Sequence, residues 1–140
     1  MYIDIKVDGY ILIVMEFPTK IDIQEAHIRI KPYINRTPIL TSSYVDSLTK
    51  AKVFFKCENL QKTGSFKVRG AANKILQLKG KERVCTHSSG NHAQAVSFIA
   101  QELKLKAYIV MPLDTPQVKK NAVKYYQAEI IESGPTQEEQ

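Results

Sequence analysis

The sequence predicts an α/β fold, a parallel sheet with helices packed on its faces. Three observations carry this. Short apolar runs alternate with stretches of helical periodicity from about residue 52 to residue 133. Small polar or proline-bearing turns introduce the helical stretches, at Thr63-Gly64-Ser65, Ser88-Ser89-Gly90 and Thr115-Pro116. Strands alternating with helices in this way imply parallel strands joined by right-handed crossovers. The chain has 140 residues, 44% hydrophobic and 24% charged, which are globular values for a single domain.

Taken in order, residues 1–15 stand apart from the rest. Ile3, Ile5 and Val7 alternate with polar residues, Asp8-Gly9 follows, then Ile11 and Ile13. That is the pattern of a hairpin around an Asp-Gly turn. A secretory signal does not fit, because Asp4, Lys6 and Asp8 precede a short apolar run with no cleavage site after it. Met15 as the natural start stays open as a further reading. Ile21 to Ile34 reads as a helix with Ile23, Ala26, His27 and Ile30 on one face and Asp22 as a candidate cap, bent or ended by Pro32. Thr37 to Ser43 reads as an extended piece and turn, and Tyr44 to Leu48 as a short helix.

Lys52 to Cys57, centred on Val53-Phe54-Phe55, reads as the first buried strand of the core. A polar loop, Glu58 to Ser65, leads to a helix whose stripe is Val68, Ala72, Ile75 and Leu76. Lys67 then lies in the first turn of that helix, where the partial positive charge of the N-terminus disfavours an ammonium. A lysine held there is expected to lose its proton more readily, and a free amine is the nucleophile of imine chemistry. The plan repeats with strand 83–87, the turn Ser88-Ser89-Gly90 and helix 91–104 striped by Val96, Ile99, Ala100 and Leu103. Lys106 to Pro112 is the next strand. Thr115 and Pro116 open a helix with Val118, Ala122 and Tyr125 or Tyr126 inward, and Ala128 to Ser133 is the fourth and last strand.

Charge and cysteine content narrow the function. The net charge is +6, but the lysines are scattered except for Lys119, Lys120 and Lys124 on one helix. A solvated helix face explains that cluster better than a nucleic-acid patch, since no aromatic interleaving accompanies it. Cys57 and Cys85 read as core thiols of a reducing compartment, not a disulfide. No run reaches membrane-spanning length.

Lys62-Thr63-Gly64-Ser65-Phe66-Lys67-Val68-Arg69-Gly70, with Ser88-Ser89-Gly90-Asn91-His92 downstream, closely resembles the pyridoxal-phosphate (PLP) enzymes of fold type II. The nearest group is the serine/threonine dehydratase and serine racemase family, and the resemblance runs from about Ile21 to Ser133. It implies a tryptophan synthase beta-like PLP-dependent fold. Residues 16–140 would be the N-terminal part of such an enzyme domain, a fragment, with residues 1–15 as an extension outside the family. The implied activity is that of a serine racemase, an L-serine/L-threonine ammonia-lyase (dehydratase), or both, in amino-acid metabolism. A cytoplasmic enzyme, a homodimer when full length, is implied, with no nucleic-acid or membrane partner. A relative of cysteine synthase fits less well, because Val68 stands where those enzymes carry an acid. A non-catalytic truncated remnant stays open as the alternative.

The resemblance also assigns roles. Lys67 is similar to the lysine that holds the cofactor's aldehyde and moves the substrate α-proton. Asn91 resembles the asparagine bonded to the ring hydroxyl, and Phe66 the residue packed on the ring. Ser88, Ser89, Gly90, Asn91 and His92 resemble the loop that holds the substrate carboxylate. For His92, orienting that loop and a purely structural part both stay open, and His87 is assigned no chemistry. Most threonine dehydratases carry alanine at the position of Ser89, and serine racemases carry serine. Racemisation needs an acid or base on each face of the planar carbanion, so Lys67 would serve one face and Ser89 the other, unless Ser89 merely closes the turn. Ser42, Ser43, Lys62, Thr63, Gln94 and Tyr126 match positions of the racemases' ATP site, with Mg2+ a further ligand of the full-length enzyme. Gln24, Tyr44 and Gln127 depart from the family's acidic, aliphatic and glycine residues. The family's glycine-rich phosphate loop, its residue facing the pyridine nitrogen and its acidic metal ligands have no counterpart here. No metal site is assigned in these residues.

Overall fold

Among the described residues there are seven strands and five helices, and three of the strands make the expected parallel sheet. A computed structural model describes residues 2–7, 10–15, 17–78, 80 and 82–134. Strands β1 (Tyr2–Val7) and β2 (Tyr10–Met15) pair antiparallel from Tyr2↔Met15 to Val7↔Tyr10. These are the expected hairpin strands; the Asp8-Gly9 turn lies outside the described residues.

Helix α1 (Lys20–Ile30) starts on a capping box. Thr19 Oγ1 accepts from Asp22 N at 3.2 Å, and Asp22 Oδ2 accepts from Thr19 N at 2.7 Å. Thr19 is therefore the cap, and Asp22 is the residue that returns the bond. Pro32 sits in a 3-10 turn, Lys31–Tyr33, so the helix ends before it. Of the expected inner face only Ile30 is buried; Ile23 and His27 are exposed.

β3 (Ile39–Thr41), α2 (Ser43–Thr49) and β4 (Phe54–Lys56) follow. Here the expectation of a buried first core strand over 52–57 is corrected. β4 pairs antiparallel with β3, not with the parallel sheet, and both strands are exposed along their length. An apolar run marks a strand that something could cover, but not what covers it.

α3 (Lys67–Ile75), β5 (Arg83–His87), α4 (Asn91–Glu102), β6 (Lys106–Pro112), α5 (Gln117–Tyr125) and β7 (Glu129–Ser133) complete the fold. The strand order is β5-β6-β7, parallel throughout, with Thr86↔Ile109 and Ile109↔Ile130 in register. The sheet thus has three parallel strands, not four. The core lies between it and the helices: Val68, Ala72, Ala93, Ile99, Ile109, Met111 and Val123 are buried. The expected stripes of α3 and α4 hold, with Leu76 and Leu103 packed at the margin.

Several side chains differ from expectation. Cys57 is half-buried outside the strand and Cys85 is exposed on β5, so neither is a core thiol. The α5 face turned inward is Lys120 and Val123, with Tyr126 just beyond it, whereas Val118 and Tyr125 are exposed. Lys120 is not part of a solvated face. Its ammonium donates to Leu113 O at 2.9 Å and to Glu132 at 2.7 Å, which satisfies a buried charge. Pro116 rather than Thr115 caps α5, and the buried Thr115 hydroxyl has no partner among the described residues. No helix among the described residues is long and apolar enough to cross a membrane.

Candidate active site

The approach to Lys67 is built by polar clamps. Gln61 is buried, and its side-chain amide is used at both ends. Its Oε1 accepts from Asn35 N and Lys62 N at 2.8 and 2.9 Å, and its Nε2 donates to Asn35 O at 2.8 Å. A second clamp joins Glu58 to Arg69. Arg69 Nε and Nη2 each donate to the carboxylate at 2.8 Å, and Thr37 Oγ1 adds a bond at 2.6 Å. These bonds, and then the charges of Arg69 and Lys56, hold the Glu58 carboxyl down at about 2 against the cost of its burial. The sequence carried this pair in plain view, but a salt bridge between residues eleven apart has no local signature.

Between the clamps the chain turns sharply. Thr63 and Gly64 both take left-handed conformations, φ 62° and 70°, which a threonine adopts only under constraint. The turn Lys62–Gly64 packs on α4, and the Lys62 ammonium lies 5.2 Å from the Phe98 ring centre. Ser65 is extended and Phe66 caps α3 with backbone alone. Thr63-Gly64-Ser65 therefore aim the helix and do not cap it, contrary to expectation. The Thr63 and Ser65 hydroxyls are buried without a hydrogen-bond partner among the described residues. Lys67 is the first residue of α3, exposed, with its ammonium 5.3 Å from the Phe66 ring centre.

The second turn leaves the C-terminal end of β5. Ser88 N donates to Val110 O at 3.1 Å, which ties the turn to β6, and Gly90 N donates to Ser88 Oγ at 3.2 Å. Ser88, Ser89 and Gly90 are half-buried. Asn91 is exposed as the first residue of α4, and no side chain caps that helix. Its first-turn N–H groups point out at the strand end, where an anion is favoured. A Cβ added at Gly90 would meet no atom within 4 Å, so the protein leaves that space open.

The two turns meet, though not by the route the sequence suggested. β4 does not neighbour β5; instead α3 packs along α4. Lys67 thereby comes close enough to act on His92. Burial first, then the Lys67 charge and then His87, lower the His92 pKa from its ordinary value, which favours the neutral ring. A groove of about 350 Å³ between α3 and β5 includes His92 in its lining, beside Gly70, Lys74 and Thr86.

A family model described as pyridoxal-phosphate dependent enzyme matches residues 30–140. The chain belongs to that family. It is 50% identical over 120 residues to a serine racemase of Dictyostelium discoideum, covering 84% of this chain and 37% of that protein. It is 48% identical over 125 residues to a beta-hydroxyaspartate dehydratase of Paracoccus denitrificans, covering 87% of this chain and 40% of the relative. Among solved structures, a T.th. threonine deaminase superposes with a TM-score of 0.79 at 46% identity, covering 87% of this chain and 39% of that one. The chain thus spans less than half the length of these relatives. The fold type II architecture expected from the motifs is the one these neighbours share.

The residues present fit pyridoxal phosphate, the cofactor of this family. An exposed amine, an aromatic ring beside it, an exposed asparagine amide and two orphaned hydroxyls suit an aldehyde, a flat ring and its polar substituents. Of the six positions compared with an ATP site, Lys62 and Tyr126 flank Phe98, and Tyr126 packs edge-on against that ring at 5.5 Å. Thr63 lies in the same turn as Lys62, and Gln94 is half-buried on α4 one turn before Phe98. Ser42 and Ser43 serve α2 instead: Ser42 Oγ accepts from Val45 N at 3.4 Å, and no hydrogen bond among the described residues joins either serine to the Phe98 cluster.

Proposed function

We propose that this chain forms the lysine-bearing part of a PLP enzyme of serine and threonine, acting as a racemase, an ammonia-lyase, or both. The observation that carries the reading is the meeting of two helix starts. One presents Lys67, and the other presents Ser89, Asn91 and His92. The names of the relatives, serine racemase, beta-hydroxyaspartate dehydratase and threonine deaminase, concern amino acids and support that substrate class.

When bound, PLP supplies an electron sink for the charge left at the substrate α-carbon. Lys67 would hold it and Phe66 would flank its ring. Asn91 would bond its ring hydroxyl. The open N–H groups at the start of α4, with Ser88, Ser89 and Gly90, would hold the substrate carboxylate. His92, uncharged, orients this turn without competing for the carboxylate. The Lys67 amine takes the α-proton from one face. Ser89 returns a proton to the other, which makes the reaction reversible in handedness. ATP, Mg2+, a homodimer and a cytoplasmic setting belong to the same reading. Among the described residues no group of three or more His, Cys, Asp and Glu could hold the metal.

Borohydride reduction with PLP of a chimera completed with the remaining length of the Dictyostelium racemase, followed by peptide mapping, tests the lysine; modification centred on Lys67 is expected, whereas the 140-residue chain alone is not expected to hold PLP stably. Equal labelling of Lys67 and Lys74 would refute the assignment. Ser89→Ala tests the reaction in a chimera completed with the remaining length of the Dictyostelium racemase. L-serine racemisation is expected to fall about 10²–10⁴-fold while elimination from L-serine survives. An unchanged ratio of D-serine to pyruvate would reduce Ser89 to a turn residue.

A further inference from the structure

A cavity of about 610 Å³ lies away from the Ser88–His92 turn, between the end of α1, the segment 34–36, β4 and α3. Its lining is basic: His27, Lys31, Arg36, Lys56 and Arg69, with Ile34 and Asn35 completing the wall. One carboxylate stands near, that of Glu58, and it is already used by two bonds from Arg69 and one from Thr37. Lys56 donates to a neutral acceptor, Thr37 O, at 2.7 Å. His27, Lys31 and Arg36 make no ion pair or side-chain hydrogen bond among the described residues. The buried Lys120, by contrast, has its own glutamate. Like charges that converge on a concave wall repel one another and focus a positive potential into the space between them. A scattered surface lysine needs no explanation, but this convergence without a counter-charge does.

We propose that this cleft is a binding site for a small multivalent oxyanion, a diphosphate or a di- or tricarboxylate. The valence follows from the count of free cations. Lys31 and Arg36, without an ion pair among the described residues, offer charge to the ligand, His27 adds a ring donor, and Lys56 and Arg69, partly used by Thr37 and Glu58, line the rest of the wall. A monovalent anion would leave most of that charge unmatched. The site is distinct from the one proposed for the cofactor, because none of Lys67, Ser88, Ser89, Gly90, Asn91 or His92 lines it.

Calorimetric titration of the 140-residue chain with pyrophosphate, and separately with citrate, at low ionic strength tests the site. One saturable event is expected, and its affinity should fall as salt is raised. The stronger of the two ligands tells a phosphate source from a carboxylate one. Lys31→Ala and Arg36→Ala should each weaken binding about tenfold or more, as loss of a charge-assisted hydrogen bond does. Both side chains are exposed and unpartnered, so the fold should not suffer. Lys119→Ala, an exposed lysine on α5, is the control and should change nothing. No saturable binding of either anion would overturn the proposal. So would an equal loss from Lys119→Ala, which would mean diffuse attraction to a chain of net charge +6.

Discussion

Residues 17–66 and residues 67–134 are held in different ways. The second region closes on itself through packing: Ile99, Ile109, Met111 and Val123 are wholly buried between three parallel strands and the helices beside them. The first region leaves its large apolar side chains outside. Phe17 is 83% exposed, Ile28 72%, Tyr44 71% and Phe54 65%. Directional, polar links cross to the second region, the Glu58 carboxylate on Arg69 and Arg29 on Asn73, while the Gln61 amide on the Asn35 backbone and Thr37 on Glu58 brace the first region itself. Packing energy scales with buried area and tolerates small shifts, while hydrogen bonds fix angles and register. The loop that presents Lys67 lies on the polar side of this boundary. Its aim therefore depends on a few bonds, whereas the helix it opens depends on the core.

The sharpest test of the contrast pairs two truncations. Ile99→Ala should destabilise the chain by about 2–5 kcal/mol in urea unfolding, the cost of a cavity in a closed core. Phe54→Ala removes a larger side chain, yet it should cost under about 1 kcal/mol, because that ring is already in water. Equal losses would break the comparison.

Glu58→Gln comes next, at about 2 kcal/mol near neutral pH, since it leaves Arg69 partly buried with a weaker partner. The pH dependence has a definite sign. The Glu58 carboxyl is lowered from 4.5 to about 2, so its contribution is complete above 4.5 and fades as pH falls toward 2. Urea midpoints of the native chain and Glu58→Gln should therefore converge over that interval. Parallel curves would show that the clamp adds nothing.

A smaller effect sits at His92. Its pKa is lowered by burial and by Lys67, so the unfolded chain takes up a proton before the folded one does. Stability should decline as pH drops below 6.5, and His92→Gln should flatten that slope. The smallest change concerns Gln127, which follows α5 with φ 60°. Gln127→Gly should raise stability by about 1 kcal/mol or less, because glycine takes that conformation without strain. A loss of stability would mean that the Gln127 side chain has a use the backbone does not show.

The sequence by itself determined the βα alternation after residue 82, the helix that begins at Lys67 and the turn from Ser88 to Asn91. These are local matters: side-chain period sets the element, and serine, glycine and asparagine set the turn. The family resemblance marked Gln127 as standing where glycine is usual, and only the structure, through its left-handed φ, shows why glycine suits that place. Tertiary structure decided the rest. Periodicity shows that Val53-Phe54-Phe55 is apolar and extended, but only the partner strand shows that β4 joins β3 and leaves Phe54 and Phe55 exposed. Three lysines on α5 look alike in sequence; Leu113 O and Glu132 single out Lys120 for burial. Lys67 meets the Ser88–His92 turn because α3 packs on α4, not because their strands adjoin. Each of these depends on groups far apart in the chain, and the free energy of burying or pairing a group belongs to the partner as much as to the residue itself.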